Sequence, residues 1–114
     1  MTELVIDRKV WLRGEGGEKS LLLRPEDGKM CCLGIYLKQC GMPDSLLRGR
    51  ANPTQLTTAP TWLRAAGQFG GFTETAECRF LILQNDDERI SEPAREQRIA
   101  EGFAKAGVSV RFEG

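Results

Sequence analysis

A helix pattern that continues directly into a strand pattern, near the end of the chain, places the strongest constraint on the fold. The spacing of apolar residues predicts a helix over 91–106, with Ser91 as its N-cap and Gly107 as its stop. Residues 108–112 then alternate between apolar and polar side chains, which is typical of a half-buried strand. Because a lone strand leaves its backbone groups unpaired, it needs a partner, and the β-branched segment 3–6 fits that role. The two ends of the chain are therefore expected to form one small sheet.

A second helix is predicted over 29–39, between a turn at 26–28 and a stop at Gly41. Gly34 lies inside this helix, where glycine costs about 1 kcal/mol relative to alanine. A glycine at such a position indicates that another stretch of backbone packs closely against it.

The remaining segments complete an α+β fold. The run 21–23 consists of three leucines and predicts a short buried strand, which Pro25 ends. Residues 75–84 fit either a buried strand or a helix, and the capping pattern before them, with polar residues after them, favours the helix. We therefore expect a single domain, 1–114, with about three helices packed on a small sheet formed by the N- and C-terminal strands.

Composition excludes several classes of function. The chain has 16 basic and 16 acidic residues, so it lacks the basic excess of a general nucleic-acid binder. It contains no histidine, which removes the commonest general base and the commonest catalytic metal ligand. No apolar run approaches the roughly 20 residues of a membrane span, and the N-terminus lacks the basic-then-apolar pattern of a secretion signal. We expect a cytoplasmic protein with reduced thiols, no membrane association and no cofactor.

The adjacent cysteines Cys31 and Cys32 form the most distinctive motif in the chain. They lie where the second predicted helix begins, so the helix dipole and Lys29 would favour a thiolate there. Without histidine, a base would have to be a carboxylate such as Asp27, Asp86 or Asp87. The two cysteines with Asp86 and Asp87 form a candidate thiol or carboxylate site. The alternative is that both cysteines are small buried apolar residues.

A structural zinc site is a further alternative for the cysteines. It would use Cys31, Cys32, Cys40 and Cys78, or three of them with a carboxylate. The sequence has no CxxC knuckle, and adjacent residues on a helix point about 100° apart. We therefore assign no metal ligand from the sequence.

The polar run 85–88, Asn-Asp-Asp-Glu, has three interpretations. Its oxygens could hold Mg²⁺ or Ca²⁺, although the EF-hand pattern is absent. Asn and Asp also suit helix caps and turns, and the run could instead contact a partner. Arg13 and Arg24 each follow an apolar run, and we expect them to pair with Asp86 or Asp87.

The residues that we expect to contact a partner protein lie in two irregular segments, 48–60 and 66–74, and in a short predicted helix, 60–63, between them. Loops of this kind often carry binding residues, and arginine and aromatic side chains often anchor interfaces. Aromatic residues are more often part of a core, so core packing and partner contact both stay open as interpretations. The candidate contact residues are Arg48, Arg50, Trp62, Phe69 and Phe72.

Several short motifs follow one another in an order that spans most of the chain. They are Trp11-Leu12-Arg13, Leu23-Arg24, Gly28-Lys29-Met30-Cys31-Cys32-Leu33-Gly34, Leu83-Gln84-Asn85-Asp86-Asp87 and Ile99-Ala100. This order resembles a loose group of small uncharacterised proteins encoded by bacteriophages and prophages, which share a Trp…Leu-Arg…Cys-Cys-Leu-Gly…Asn-Asp plan. Cys-Cys-Leu-Gly and Asn-Asp are its specific elements. The resemblance implies a phage origin and the cytoplasm of a bacterial host, and it implies no reaction.

The leading functional hypothesis is a non-enzymatic phage or prophage accessory protein that binds and modulates a bacterial host protein. Balanced charge, the lack of histidine and two glycine-flanked loops favour it. The alternative is a small thiol- or carboxylate-dependent enzyme, or a ligand-binding domain, that uses Cys31, Cys32, Asp86 and Asp87.

Overall fold

The computed structural model describes residues 3–16, 20–50 and 76–114, and for residues 76–79 it describes the backbone. In chain order the elements are β1 (Glu3–Asp7), α1 (Cys32–Gln39), α2 (Asp44–Leu47), α3 (Ala76–Asp86), α4 (Glu92–Lys105) and β2 (Ser109–Glu113). This confirms the predicted α+β class, in which helices pack on a small sheet made from the two ends of the chain.

The sheet consists of β1 and β2, which run parallel. Leu4 pairs with Val110 and Ile6 pairs with Phe112, and both β1 residues are fully buried. The side-chain amide of Gln39, at the end of α1, bonds both the N–H and the carbonyl of Val5. The outer edge of β1 is therefore covered by a side chain in the place where a third strand would pair.

The close backbone approach predicted at Gly34 is present. A Cβ built on Gly34 would lie 1.8 Å from the carbonyl oxygen of Leu22 and 2.6 Å from its carbonyl carbon. Both atoms belong to the backbone and cannot turn away as a side chain would. Only glycine therefore fits at this crossing of α1 over the leucine segment.

The predicted strand at 21–23 is wrong. The N–H of Leu22 donates to Arg50, and the carbonyl of Leu21 accepts from Cys31, so the two flanks of the segment bond different loops. Leu23 forms a single isolated bridge with Arg48. The leucines are apolar because they lie under α1, which requires burial of their side chains and no continuous ladder.

Two other boundaries differ from the prediction or complete it. α1 begins at Cys32 instead of residue 29, because Met30 is already engaged in a bridge with Trp11. Of the segment 75–84, the described residues 76–84 are helical, as the flanks favour, and α3 continues to Asp86. Ser91 is confirmed as the N-cap of α4, since its side chain accepts a hydrogen bond from the N–H of Ala94.

α3 and α4 pack closely at Gly102. A Cβ there would lie 2.8 Å from a methyl carbon of Leu81, so the two helices approach more nearly than a larger residue would allow. Among the helices that the structure describes, none combines the length and the apolar character that a bilayer crossing requires.

Candidate functional site

The centre of the candidate site is the side-chain amide of Asn85, in the last turn of α3. This residue is 1% exposed. Its Oδ1 accepts from the indole N–H of Trp11 at 2.8 Å and from the backbone N–H of Cys32 at 3.0 Å. Its Nδ2 donates to the carbonyl of Leu12 at 3.1 Å and reaches the Ser20 hydroxyl at 3.3 Å. The side-chain amide thus makes hydrogen bonds to three separate parts of the chain.

One of these bonds caps α1. Cys31 is the N-cap residue of that helix and makes no side-chain capping bond, so the first N–H groups of the helix need another acceptor. Asn85 supplies it to Cys32 from a different helix. An unsatisfied buried N–H costs about 1–3 kcal/mol, so this contact ties the start of α1 to the end of α3.

The loop at 13–16 is hydrogen-bonded to the C-terminal end of α3, where Asn85 lies. The N–H of Gly14 donates to the carbonyl of Asn85 at 2.8 Å, and the N–H of Gly16 donates to the carbonyl of Asp86 at 3.0 Å. Gly14 has a positive φ of 69°, and a Cβ on it would lie 2.9 Å from the guanidinium of Arg95. The loop therefore needs glycine both for its backbone conformation and for the space above that arginine.

Arg95, on α4, holds the carbonyl end of α3 from below. It is 2% exposed, and its guanidinium donates to the carbonyls of Gln84 at 3.0 Å and Asp87 at 2.6 Å. It also pairs with Glu92, one turn earlier, at 3.2 Å. A cation at the C-terminal end of a helix is favourable because the helix dipole is negative there.

The sequence did not lead us to predict that Asn85 caps α1 or that Arg95 binds the carbonyl end of α3. For Arg95 a signal exists, because it lies four residues before Ile99 and eight before Phe103 and so shares the apolar face of α4. A charged residue on such a face indicates a buried cation with internal acceptors. For Asn85 a similar signal exists, because it lies four residues after Leu81 and three after Ile82 in the predicted helix, but the polar residues that follow it are also typical of a loop.

Three of the four residues in the predicted thiol or carboxylate site meet at one small cavity. Cys31, Cys32 and Asp86 line it together with Ser20, Leu33, Ile82 and Asn85. Its volume is about 10 Å³, which is room for about one water molecule. The structure therefore brings Cys31, Cys32 and Asp86 together, and whether they form a site stays a prediction.

The electrostatics of this cavity favour uncharged groups. Burial raises the pKa of the Cys31 thiol to about 11, although backbone N–H groups of Leu33 and Gly34 act in the opposite direction. Burial likewise raises the pKa of the Asp86 carboxyl, against hydrogen bonds from Asn85 and Ser20 that lower it. The shift at Cys31 is opposite to the one expected from its position at a helix N-terminus, because desolvation outweighs the dipole.

Asp87 lies outside the cavity. Its carboxylate accepts from the side chain of Arg89 at 3.1 Å, and this hydrogen bond holds the pKa of Asp87 below its usual value. It borders a wider groove on the outer side of α3. Asp86 thus lines both the small cavity and this groove, whereas Asp87 lines the groove and not the cavity.

The expected pairing of Arg13 and Arg24 with Asp86 or Asp87 is wrong. The guanidinium of Arg13 lies 4.5 Å from the centre of the Trp11 ring, and this stacking turns it toward Glu92, with a contact of 2.6 Å. Arg24 pairs with Asp27 at 2.6 Å because the turn at 25–27 brings that carboxylate back to it. It also contacts Glu15 at 3.0 Å.

The remaining candidates are placed in part. Arg48 is exposed and Arg50 is half-buried, next to the leucine segment. Trp62, Phe69 and Phe72 lie outside the described residues, as do most of the two predicted loops. Over the described residues, no group of three or more Cys, Asp or Glu side chains is arranged to share a metal ion. The side chain of Cys78 lies outside the part of the chain that the structure describes.

Comparisons with protein families, with curated proteins and with solved structures find no match for this chain. No activity is therefore transferred from a relative, and a function must be argued from the chain's own residues. The resemblance to phage and prophage proteins stays a prediction from the motifs.

Proposed function

We propose that this chain is a non-enzymatic accessory protein of a bacteriophage or prophage, and that it acts by binding a protein of its bacterial host, in the host cytoplasm. The observation that supports this proposal is the use of the distinctive motifs. The Cys-Cys and Asn-Asp elements meet in the interior, where Asn85 joins the start of α1 to the Trp11 segment. Polar groups that are spent on the fold are not available for a reaction.

Catalysis would need a reachable group in a reactive protonation state. Burial raises the pKa of the Cys31 thiol to about 11, so the neutral thiol and not the nucleophilic thiolate predominates at neutral pH. The cavity beside it has room for about one water molecule, and a substrate is larger. Both facts support a structural role for the cysteine motif.

The surface supports binding instead. Leu83 on α3 is 57% exposed and Leu46 on α2 is 39% exposed, and both are large apolar side chains. Arg48 lies two residues beyond Leu46 and is also exposed. Arginine is enriched at protein interfaces, and an exposed apolar side chain adds area that a partner can bury.

The experiment is a retention assay with bacterial lysate on the immobilised protein, followed by reconstitution. We expect one host protein to be retained in nearly equimolar amount, and the two purified proteins to form a complex in solution. A column that retains no such protein would contradict the proposal. So would turnover of a small molecule by the purified chain.

The alternative, a thiol- or carboxylate-dependent site, is motivated by the meeting of Cys31, Cys32 and Asp86 at one cavity. Alkylation with iodoacetamide separates the two functions, with Cys40 as the matched control because it is exposed at the end of α1. If the cysteine motif is structural, mass spectrometry will find Cys40 alkylated in the native protein and Cys31 and Cys32 alkylated only after unfolding. Rapid modification of Cys31 at neutral pH would instead favour the chemical site.

A further inference from the structure

The outer side of α3 forms an open groove that the interior cluster does not use. The groove encloses about 500 Å³, within the usual range for ligand sites. Its wall is the last two turns of α3 and the residues that follow, and Gly16 closes it on one side. The lining residues are Gly16, Ile82, Leu83, Gln84, Asp86, Asp87, Glu88 and Arg89.

The residues that line this groove carry more negative than positive charge, with three carboxylates and one arginine among them. Carboxylates stand at three consecutive positions, Asp86, Asp87 and Glu88, at the end of a helix where the dipole is already negative. The last turn of α3 has no basic residue. Two arginines of α4 lie close by: Arg95 is buried against the inner carbonyls and helps to lower the pKa of Asp87, and Arg98 donates to the side chain of Gln84 at 3.0 Å.

Arg89 is the one cation that lines the groove. Its side chain is 86% exposed while it contacts Asp87 at 3.1 Å. Exposed ion pairs of this kind contribute little to stability, so a cation from another molecule can replace Arg89 at little cost. Next to the carboxylates, the exposed Leu83 offers an apolar contact.

We infer that this groove docks a short basic segment of the partner protein, with an apolar side chain on Leu83 and Lys or Arg side chains on the carboxylates. The inference rests on the proposed function and specifies its binding surface. The complementarity is electrostatic, so an acidic segment or a nucleic-acid backbone is repelled at the same place. Binding of this kind weakens as salt is added, because the pairs at the rim are screened.

The test uses a fluorescent synthetic peptide, acetyl-Lys-Arg-Leu-Lys-Arg-Leu-Lys-amide, and fluorescence anisotropy with the whole chain. Two matched peptides carry Glu in place of the basic residues or Ser in place of Leu. We expect the basic apolar peptide to bind, each matched peptide to bind at least about tenfold more weakly, and affinity to fall with salt. Equal binding of the acidic peptide would overturn the inference, and so would no binding of the basic one.

Variants then locate the site. Leu83→Asp and Glu88→Lys change exposed groove residues, and we expect each to weaken peptide binding about tenfold or more. The matched controls are Leu46→Asp on α2 and Glu101→Lys on α4, which make the same changes at exposed positions elsewhere. Controls that weaken binding as much as the groove variants would overturn the inference. Because Glu88→Lys leaves the apolar surface intact, it keeps the test valid if Leu83→Asp does not fold.

The same variants separate this inference from the proposed function. If wild type and Leu83→Asp retain the same host protein equally, the groove is not the binding surface and the proposed function stands. If the wild type retains no host protein, the proposed function fails whatever the peptide does. A second copy of this chain is the other possible occupant of the groove, and analytical ultracentrifugation tests it. If the chain forms a dimer that Leu83→Asp dissociates, a second copy occupies the groove and the inference of a basic segment is overturned.

Discussion

The two sides of α3 use their polar groups in opposite ways. On the inner side, Asn85 and the Arg95 guanidinium beneath it spend their hydrogen-bonding groups on backbone and side chains of the same chain. On the outer side, Leu83 and Glu88 are exposed, and Asp87 pairs with an exposed arginine. Neighbouring residues of one sequence motif thus divide between holding the fold and facing solvent. A motif that contains Asn and Asp does not by itself mark a reaction site.

The largest effect should come from the inner side, at Gly34. Gly34→Ala puts a Cβ into the carbonyl of Leu22, so we expect a loss of about 4 kcal/mol or more in the free energy of unfolding, or failure to fold. Urea denaturation measures it. Ala104→Gly, at an exposed position in α4, is the control and should cost about 1 kcal/mol. If the close approach were absent, helix propensity alone would make Gly34→Ala stabilising.

The next effect should come from Asn85. Asn85→Ala removes the hydrogen bonds that Asn85 makes with the Cys32 N–H, the Trp11 indole and the Leu12 carbonyl, and we expect a loss of about 2–3 kcal/mol in the free energy of unfolding. Glu88→Ala, three residues later on the outer side, should change stability by less than about 0.5 kcal/mol. Equal urea midpoints for the two variants would remove the difference between the two sides.

The smallest change in stability should come from substitutions at the two neighbouring aspartates, and its sign should be opposite at the two positions. Burial raises the pKa of Asp86 in the folded state, so its ionisation opposes folding: stability is fully present below the unfolded pKa and is lost as pH rises through the folded one. Asp86→Asn should therefore raise the melting temperature at neutral pH by a small amount. The gain should disappear in acid, below the ordinary aspartate pKa.

Asp87 should behave in the opposite way. Its ion pair with Arg89 lowers its folded pKa, so ionisation favours folding above the unfolded pKa, and this contribution is lost as pH falls through the folded one. Asp87→Asn should slightly lower the melting temperature at neutral pH, and the difference should vanish in acid. If the melting temperature shifted in the same direction for both variants, the opposite pKa shifts of Asp86 and Asp87 would be contradicted.

The sequence predicted those features whose signals lie within a few residues of one another. The Ser91 cap, the apolar spacing of α4 and the alternation of β2 are of this kind, and each is present in the structure. Pairing of the chain ends followed because a lone strand needs a partner. The three-leucine run misled because burial and strand pairing produce the same local pattern, and only burial applies there.

By itself, then, the sequence determined the α+β class, the sheet between the chain ends and the need for glycine at residue 34. Caps, periodicity and glycine conformation act locally, so neighbouring residues encode them. Only the tertiary structure decided that Asn85 caps α1 from a distance, through bonds to residues 53 and 74 positions away. It also decided that Asp86 borders the small cavity as well as the groove, while Asp87 borders the groove and pairs with Arg89. Such contacts depend on where distant segments cross, and a crossing leaves no pattern in either segment alone.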